Sequence, residues 1–246
     1  MIHAYEILSH KKLKDTVYEM TLKRRPSDTL LPGMFFNVTF PNNDFMLHRP
    51  VSISDVTEQA FSLTYEVTGK GTKHMSELTD THITLMGPLG TPLNVVETDN
   101  PILIVGEGIS IARLLFMSKE LFKTNKQLII VYIGLKEDLI YEETFQSLGD
   151  VHVISKEKSI EDIISYINTI IKAHDVEYVY ASAHDTLLER LDKTLQGTIK
   201  GSLLLQVRMA CGFGVCMGCV KKTVDGYIRV CKEGPSVQLG ELFYES

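Results

Sequence analysis

Met209-Ala210-Cys211-Gly212-Phe213-Gly214-Val215-Cys216-Met217-Gly218-Cys219, followed twelve positions later by Cys231, contains all four cysteines of the chain. Their spacing is C-x4-C-x2-C-x11-C. The first three match the loop of plant-type 2Fe–2S sites, in which a fourth cysteine arrives from further along the chain. A two-iron rhomb needs four thiolates, and a short loop presents several of them only if its backbone bends sharply. Gly212, Gly214 and Gly218 allow such bends and let amide N–H groups approach sulfur. Cys211, Cys216, Cys219 and Cys231 are therefore the candidate metal ligands. Two other readings of the spacing stay open. Zinc sites usually pair two C-x2-C knuckles, and only Cys216–Cys219 has that form. A disulfide framework suits small secreted chains, which a chain of 246 residues is not.

Outward from this loop, the composition is that of an ordinary globular protein, 44% hydrophobic and 23% charged. The length allows one large domain or two ordinary ones. Twenty-five basic against 31 acidic residues leave a net charge of −6, which gives no reason to expect nucleic acid or an anionic membrane as partner. Arg113 interrupts the most helical apolar run, so no membrane span is expected. Met1–Glu6 lacks a basic region followed by an apolar core, so no signal peptide is expected. Together with cysteines built into a cluster, this predicts a cytoplasmic protein.

Short apolar runs separated by turn signals fill the first hundred residues. His3–Leu8, Val17–Leu22, Met34–Phe40, Val51–Ile53, Ala60–Val67 and His82–Met86 read as strands. Pro26-Ser27, Pro32-Gly33, Pro41-Asn42-Asn43-Asp44 and Gly69-Lys70-Gly71 read as breaks, which suggests a small barrel or sandwich. Arg49-Pro50-Val51-Ser52 opens one strand. Gly69-Lys70-Gly71-Thr72 closes another and leads into a helix expected at His74–Leu78. An arginine can grip a diphosphate with its planar fork, a serine on the same strand can donate to a flavin edge, and a glycine turn can offer amides to phosphate. Each piece alone is weak: the tetrapeptide also serves as the start of a strand, and Gly71-Thr72 as a helix cap.

From Pro101 the period changes. Ile102–Val105, Leu128–Ile133 and Tyr178–Tyr180 read as buried strands, and Ile109–Phe122, Ile160–Ala173 and Asp185–Leu195 as helices. This alternation predicts a doubly wound parallel sheet with ligands at the strand ends near Gly106, Gly134 and Ser182. After the cysteine loop, Val220–Val224 and Tyr227–Val230 flank Asp225-Gly226, a hairpin signal that would return Cys231 to the loop.

In combination, Arg49-Pro50-Val51-Ser52, Gly71-Thr72, the turn Gly87-Pro88-Leu89-Gly90, the cysteine loop and the tail Val230-Cys231-Lys232-Glu233-Gly234-Pro235 resemble the ferredoxin-reductase superfamily. More narrowly, their order resembles the electron-transfer subunit of type B dihydroorotate dehydrogenase, and the likeness spans nearly the whole chain. The resemblance implies three parts: a six-stranded antiparallel FAD-binding β-barrel over residues 1–97, a doubly wound NAD-binding-like α/β domain over 98–200, and a 2Fe–2S module over 201–246. It implies that Arg49 binds the FAD diphosphate and that Pro50, Val51 and Ser52 line the flavin. It also implies that Thr64, Tyr65 and Glu66 contact the flavin or its ribityl chain, and that Gly71 and Thr72 contact phosphate. Tyr65 also fits a half-buried strand aromatic.

The middle domain departs from the family pattern. Relatives read Val-Gly-Gly-Gly-Ile-Gly-x-x-Pro-Leu after the first strand, where this chain reads Val105-Gly106-Glu107-Gly108-Ile109-Ser110-Ile111-Ala112-Arg113-Leu114. Their Cys-Gly-Pro is replaced by Ala181-Ser182-Ala183-His184, and their acidic Thr-Asp-Asp-Gly-Ser by Ile154–Ser159. NAD(H) is accordingly expected from the resemblance and opposed by Glu107 and Ser110. No general acid–base pair, Ser/His/Asp set or phosphate-transfer loop is visible, so no catalytic residue is expected on this chain. The function implied is a relay, in pyrimidine biosynthesis, between a partner subunit containing FMN, which oxidises dihydroorotate to orotate, and NAD. The relay runs through 2Fe–2S and FAD, in a heterotetramer of two of each subunit. The alternative is a reductase component or diverged paralogue serving another oxidoreductase with a non-NAD donor or acceptor.

Overall fold

Alternating apolar and polar residues build β1 (Ile2–Lys12), β2 (Val17–Lys23), β3 (Phe35–Thr39), β4 (Arg49–Val56), β5 (Ala60–Glu66) and β6 (His82–Leu89). In the computed structural model, which describes residues 1–40 and 45–244, these close into an antiparallel barrel of order β1-β2-β5-β4-β3-β6. Closure leaves no unpaired edge. The expected turn at Pro41-Asn42-Asn43-Asp44 lies outside the described residues. The barrel core packs Tyr5 edge-on to Phe61, with ring centroids 5.3 Å apart, and stacks Phe36 on Phe61 at 5.1 Å. Gly87-Pro88-Leu89 is not a free turn: it continues β6, and the register against β3 shifts there. Helix α1 (Lys70–Ser76) begins directly after Gly69, four residues earlier than expected. Thr72 explains this, because its Oγ1 accepts the N–H of Thr68 at 3.0 Å and of Gly69 at 3.2 Å and caps the turn.

The second unit is a six-stranded sheet of β7 (Ile102–Glu107), β8 (Leu128–Ile133), β9 (Asp150–Ile154), β10 (Tyr178–Ser182), β11 (Lys200–Leu204) and β14 (Ser236–Gln238), in the order β14-β11-β10-β7-β8-β9. All neighbours are parallel except β14, which runs antiparallel to β11. Helices α2 (Ala112–Lys123), α3 (Glu142–Leu148), α4 (Ile160–Ala173) and α5 (Asp185–Leu195) cover the sheet. Two apolar cores lie on its opposite faces, one built on Leu114, Leu115 and Phe145, the other on Ile163, Ile167 and Leu188. The strand order reverses between β7 and β10, and there the loops after Gly106 and Ser182 part to leave a crevice. The glycine turn leads first into a short 3-10 turn, Gly108–Ile111, and only then into α2.

Between β11 and β14 the chain leaves the sheet to form the cysteine loop and a hairpin, β12 (Val220–Thr223) and β13 (Gly226–Arg229). The hairpin closes at Val224-Asp225, one position before the Asp225-Gly226 expected, because Thr223 pairs with Gly226. The cysteine loop is thus held between two neighbouring strands of the α/β sheet.

Barrel and sheet are joined by specific contacts. Phe116 of α2 is buried in the barrel core, and Lys119 Nζ lies 2.6 Å from Asp55 Oδ2 of β4. From the other side Tyr141, in the left-handed region at φ +58°, donates to Glu19 Oε2 at 2.7 Å and meets Thr64 Oγ1 at 2.5 Å.

Candidate cofactor sites

The four thiols are free and arranged as two pairs. Cys211 and Cys216 contact each other through sulfur, as do Cys219 and Cys231. Backbone N–H groups reach sulfur within and beside each pair, each at 3.4 Å: Cys216 to Cys211, Gly218 to Cys216, and Cys231 to Cys219. Burial raises the Cys211 pKa, but amides of Cys216, Phe213 and Val215 outweigh it and bring the thiol down to about 6. Cys231 is pushed up to about 12, by burial first and then by its neighbour Cys219. A two-iron cluster takes two thiolates on each iron. Two sulfur-contacting pairs of cysteines fit that arrangement.

The loop bends where the chain turns left-handed, at Gly212 (φ +76°), Gly214 (φ +88°) and Met217 (φ +60°). The third bend is therefore at Met217 and not at Gly218. Gly212 has a further reason to lack a side chain: a Cβ there would stand 1.9 Å from Asn37 Nδ2. Asn37, buried in β3, donates from that nitrogen to the Cys211 carbonyl at 3.1 Å. Thr91 Oγ1 donates to the Lys232 carbonyl at 3.0 Å, and Arg229 Nη1 to the Gly214 carbonyl at 2.9 Å. The loop is thus fastened to the barrel on one side and to its own hairpin on the other.

A cavity of about 390 Å³ opens between barrel, sheet and cysteine loop. Arg49, Pro50, Val51, Ser52, Thr64, Tyr65, Glu66 and Thr72 all line it. Gly71 completes the expected set by contact: a Cβ there would meet the Arg49 guanidinium at 2.2 Å, so only glycine leaves that side chain its place. The guanidinium lies over the rings of Phe40 and Phe45, 5.8 and 5.3 Å from their centroids, and donates to the Leu47 carbonyl. Val51 and Tyr65 belong largely to the barrel core, 5% and 4% exposed. Tyr65 stacks on Tyr18 and bonds His10 Nε2 at 2.8 Å, and burial pushes its phenol far above the usual range. The Thr64 hydroxyl is engaged by Ser54 and Tyr141. The opposite wall comes from residues that sequence reasoning did not assign to the site: Ser110, Arg113, Met209 and Pro235. Met209 precedes Cys211 by two positions and Pro235 follows Cys231 by four, so both arms of the cysteine loop form part of the cavity wall.

A second, larger cavity of about 810 Å³ adjoins the first and shares Glu66, Ile109, Ser110 and Gln206 with it. It lies at the ends of β7 and β8 and is lined by Lys12, Lys14 and Lys156 as well as by Glu107 and His184. Glu107 does not point freely into it. Its Oε2 accepts the backbone N–H of His184 at 3.0 Å and also bonds His184 Nδ1.

Residues 206–243 match the model of the iron–sulfur cluster binding domain of dihydroorotate dehydrogenase B. Over nearly the full length, the chain is similar to proteins named dihydroorotate dehydrogenase B (NAD(+)), electron transfer subunit. That of Caldanaerobacter subterraneus subsp. tengcongensis is 30% identical over 250 residues, covering 97% of each chain. That of Fusobacterium nucleatum subsp. nucleatum is 31% identical over 236 residues, covering 90% of each. Among solved structures, one from the NADH-dependent reduced ferredoxin-NADP oxidoreductase superposes with a TM-score of 0.83, covering 98% of this chain and 90% of the other at 19% identity. A ferredoxin NADP+ reductase from Neisseria gonorrhoeae with bound FAD and NADP gives 0.64, over 79% of this chain and 90% of the other, at 13% identity. The structural likenesses establish the fold: a closed barrel followed by a parallel α/β sheet.

Proposed function

Since the chain belongs to the family of electron-transfer subunits of dihydroorotate dehydrogenase B, we propose that it carries electrons between a catalytic partner subunit and NAD through a 2Fe–2S cluster and FAD. One observation supports this reading above the others: the arms of the cysteine loop, at Met209 and Pro235, share a cavity with Arg49–Ser52. A flavin held by that strand would lie directly against the segment that carries the thiols. Bound there, FAD supplies hydride chemistry and the cluster one-electron transfer. The chain itself sets distance, access and charge. Cys211 with Cys216, and Cys219 with Cys231, would each hold one iron. Arg49, given room by Gly71 and held by Phe40, Phe45 and the Leu47 carbonyl, would take the diphosphate. Pro50, Val51, Ser52, Thr64, Tyr65 and Glu66 would border the flavin, and Thr72 would border its phosphate end while capping α1. We take residues 1–97 as the flavin unit, 98–200 as the nicotinamide unit and 201–246 as the cluster unit, the last anchored in the second through β14.

The partner is proposed to be the FMN-containing subunit that oxidises dihydroorotate to orotate, two copies with two of this chain. Phe213, Val215 and Met217 beside the cysteines are 48%, 71% and 56% exposed, an apolar collar suited to being covered. No helix among the described residues is long and apolar enough to cross a membrane. For the terminal carrier we propose NAD(H) in the larger cavity, where Lys12, Lys14 and Lys156 offer positive charge. A second reading, with a carrier other than a nicotinamide, is favoured by Glu107, whose carboxylate already takes the His184 amide at the mouth of the crevice.

An absorption spectrum of anaerobically purified chain tests the relay. Flavin and iron–sulfur bands together are expected, and colourless protein containing zinc would end the proposal. Anaerobic mixing of the reduced protein with NAD separates the two carriers. Reoxidation of the flavin supports NAD, and a flavin that stays reduced supports the second reading.

A further inference from the structure

Arg113 is half-buried, with its Nε shut away from solvent, and its charge has no part in the relay. It stands at the start of α2 on the wall of the smaller cavity, at a position where the related pattern has proline. Its Nη1 donates to Ser182 Oγ at 3.3 Å and its Nη2 to the Leu205 carbonyl at 3.1 Å, while Nε is buried and bonds nothing. Both partners are neutral. Among the described residues Arg113 makes no salt bridge. Glu66 lines the same cavity, but its carboxylate accepts the Thr16 hydroxyl at 3.1 Å instead. Burial draws the guanidinium pKa down to about 10, so the group stays charged at neutral pH. A guanidinium partly withdrawn from water, with one N–H unpaired and neither carboxylate nor phosphate beside it, is costly to keep. The charge therefore calls for an anion that arrives from the cavity side.

We propose that Arg113 is a positioning residue that balances the negative charge gained by the flavin ring on reduction. This rests on the reading that FAD occupies the smaller cavity. Reduction through the cluster brings two electrons, one at a time, and the ring takes one proton from water, so it gains one net negative charge; the partner's substrate gives up those two electrons and releases two protons. A fixed cation on the cavity wall favours that reduced form over the oxidised one. Arg113 would thereby raise the flavin potential and leave the grip on the diphosphate to Arg49.

The test is an anaerobic, dye-coupled redox titration of the whole purified chain with FAD bound. It uses wild type, Arg113→Gln and Arg113→Lys, with free FAD as the reference. Wild type is expected to bind reduced FAD at least tenfold more tightly than oxidised FAD, a midpoint about 30 mV above free FAD for a two-electron couple. Arg113→Gln should lose most of that difference while still binding oxidised FAD, and Arg113→Lys should retain most of it. A glutamine variant with the wild-type midpoint overturns the proposal. So does a wild-type midpoint at or below that of free FAD, a result that stands even if the glutamine variant fails to fold. Wild-type protein that takes up no FAD removes the proposal together with the flavin reading, and is seen before any titration begins.

Discussion

Arg49 and Gly71 stand 22 positions apart in the chain, yet a single added methyl at Gly71 would strike the Arg49 guanidinium. Arg49→Ala should weaken FAD retention by about 10- to 100-fold, the equivalent of a charge-assisted bond of about 1.5–3 kcal/mol. Fluorescence titration of apo-protein with FAD measures this, and an unchanged affinity would take Arg49 out of the site. Cys216 is the exposed member of its pair. Cys216→Ser should abolish iron and acid-labile sulfide while FAD content stays near one per chain, checked by metal analysis beside the flavin spectrum. At this scale the candidate ligands were legible because their chemistry is local: four cysteines in a glycine-bent loop announce themselves by spacing. What stayed hidden depends on contacts between distant positions. Asn37 reaches the Cys211 carbonyl across 174 residues, and Arg113 reads simply as a charge interrupting an apolar helix until its neighbours Ser182 and Leu205 are seen.

Helices α4 and α5 and strand β8 lie where periodicity predicts them, because each has enough residues to express its period and an apolar face to bury. Strand β9 and helix α3 escaped notice for the opposite reason. β9 is a five-residue edge strand, largely half-exposed, and α3 is barely two turns long with only Phe145 and Leu148 buried. Strand β14 has three residues, and only the register against β11 makes it a strand. Just before α3, Tyr141 serves as the latch between the units. Burial is the first cause that raises its phenol pKa, and its hydroxyl satisfies both Glu19 and Thr64 of the barrel. Tyr141→Phe takes the donor from Glu19 while Thr64 keeps its bond to Ser54, and should cost about 1–3 kcal/mol of unfolding free energy. Urea denaturation monitored by tyrosine fluorescence and circular dichroism checks this. A midpoint equal to wild type would mean that Tyr141 adds nothing to the hold provided by Phe116, the Lys119–Asp55 pair and Lys14 on the Glu137 carbonyl.

Across the whole molecule, barrel, sheet and cysteine loop each supply one wall of the smaller cavity, and none of them encloses it alone. The three-part plan was legible from the order of motifs, but the shared cavity was not. It depends on where β11 delivers the loop and on how α2 leans against β4. The collar of Phe213, Val215 and Met217 offers a test at this scale. Val215→Glu puts a charge in the centre of an apolar contact. It should abolish co-purification of the catalytic subunit, a loss of about 2 kcal/mol or more, while leaving the absorption spectrum of the isolated chain unchanged. Retained co-purification would move the docking surface elsewhere. The uneven burial of the four sulfurs has its own consequence. Cys219 and Cys231 are 3% and 1% exposed, whereas Cys216 sits at the surface, so an inserted cluster would have one sheltered iron and one facing the medium. Such a centre should bleach in air from its outer edge, and its half-life under oxygen should lengthen once the catalytic subunit is seated over it like a stopper.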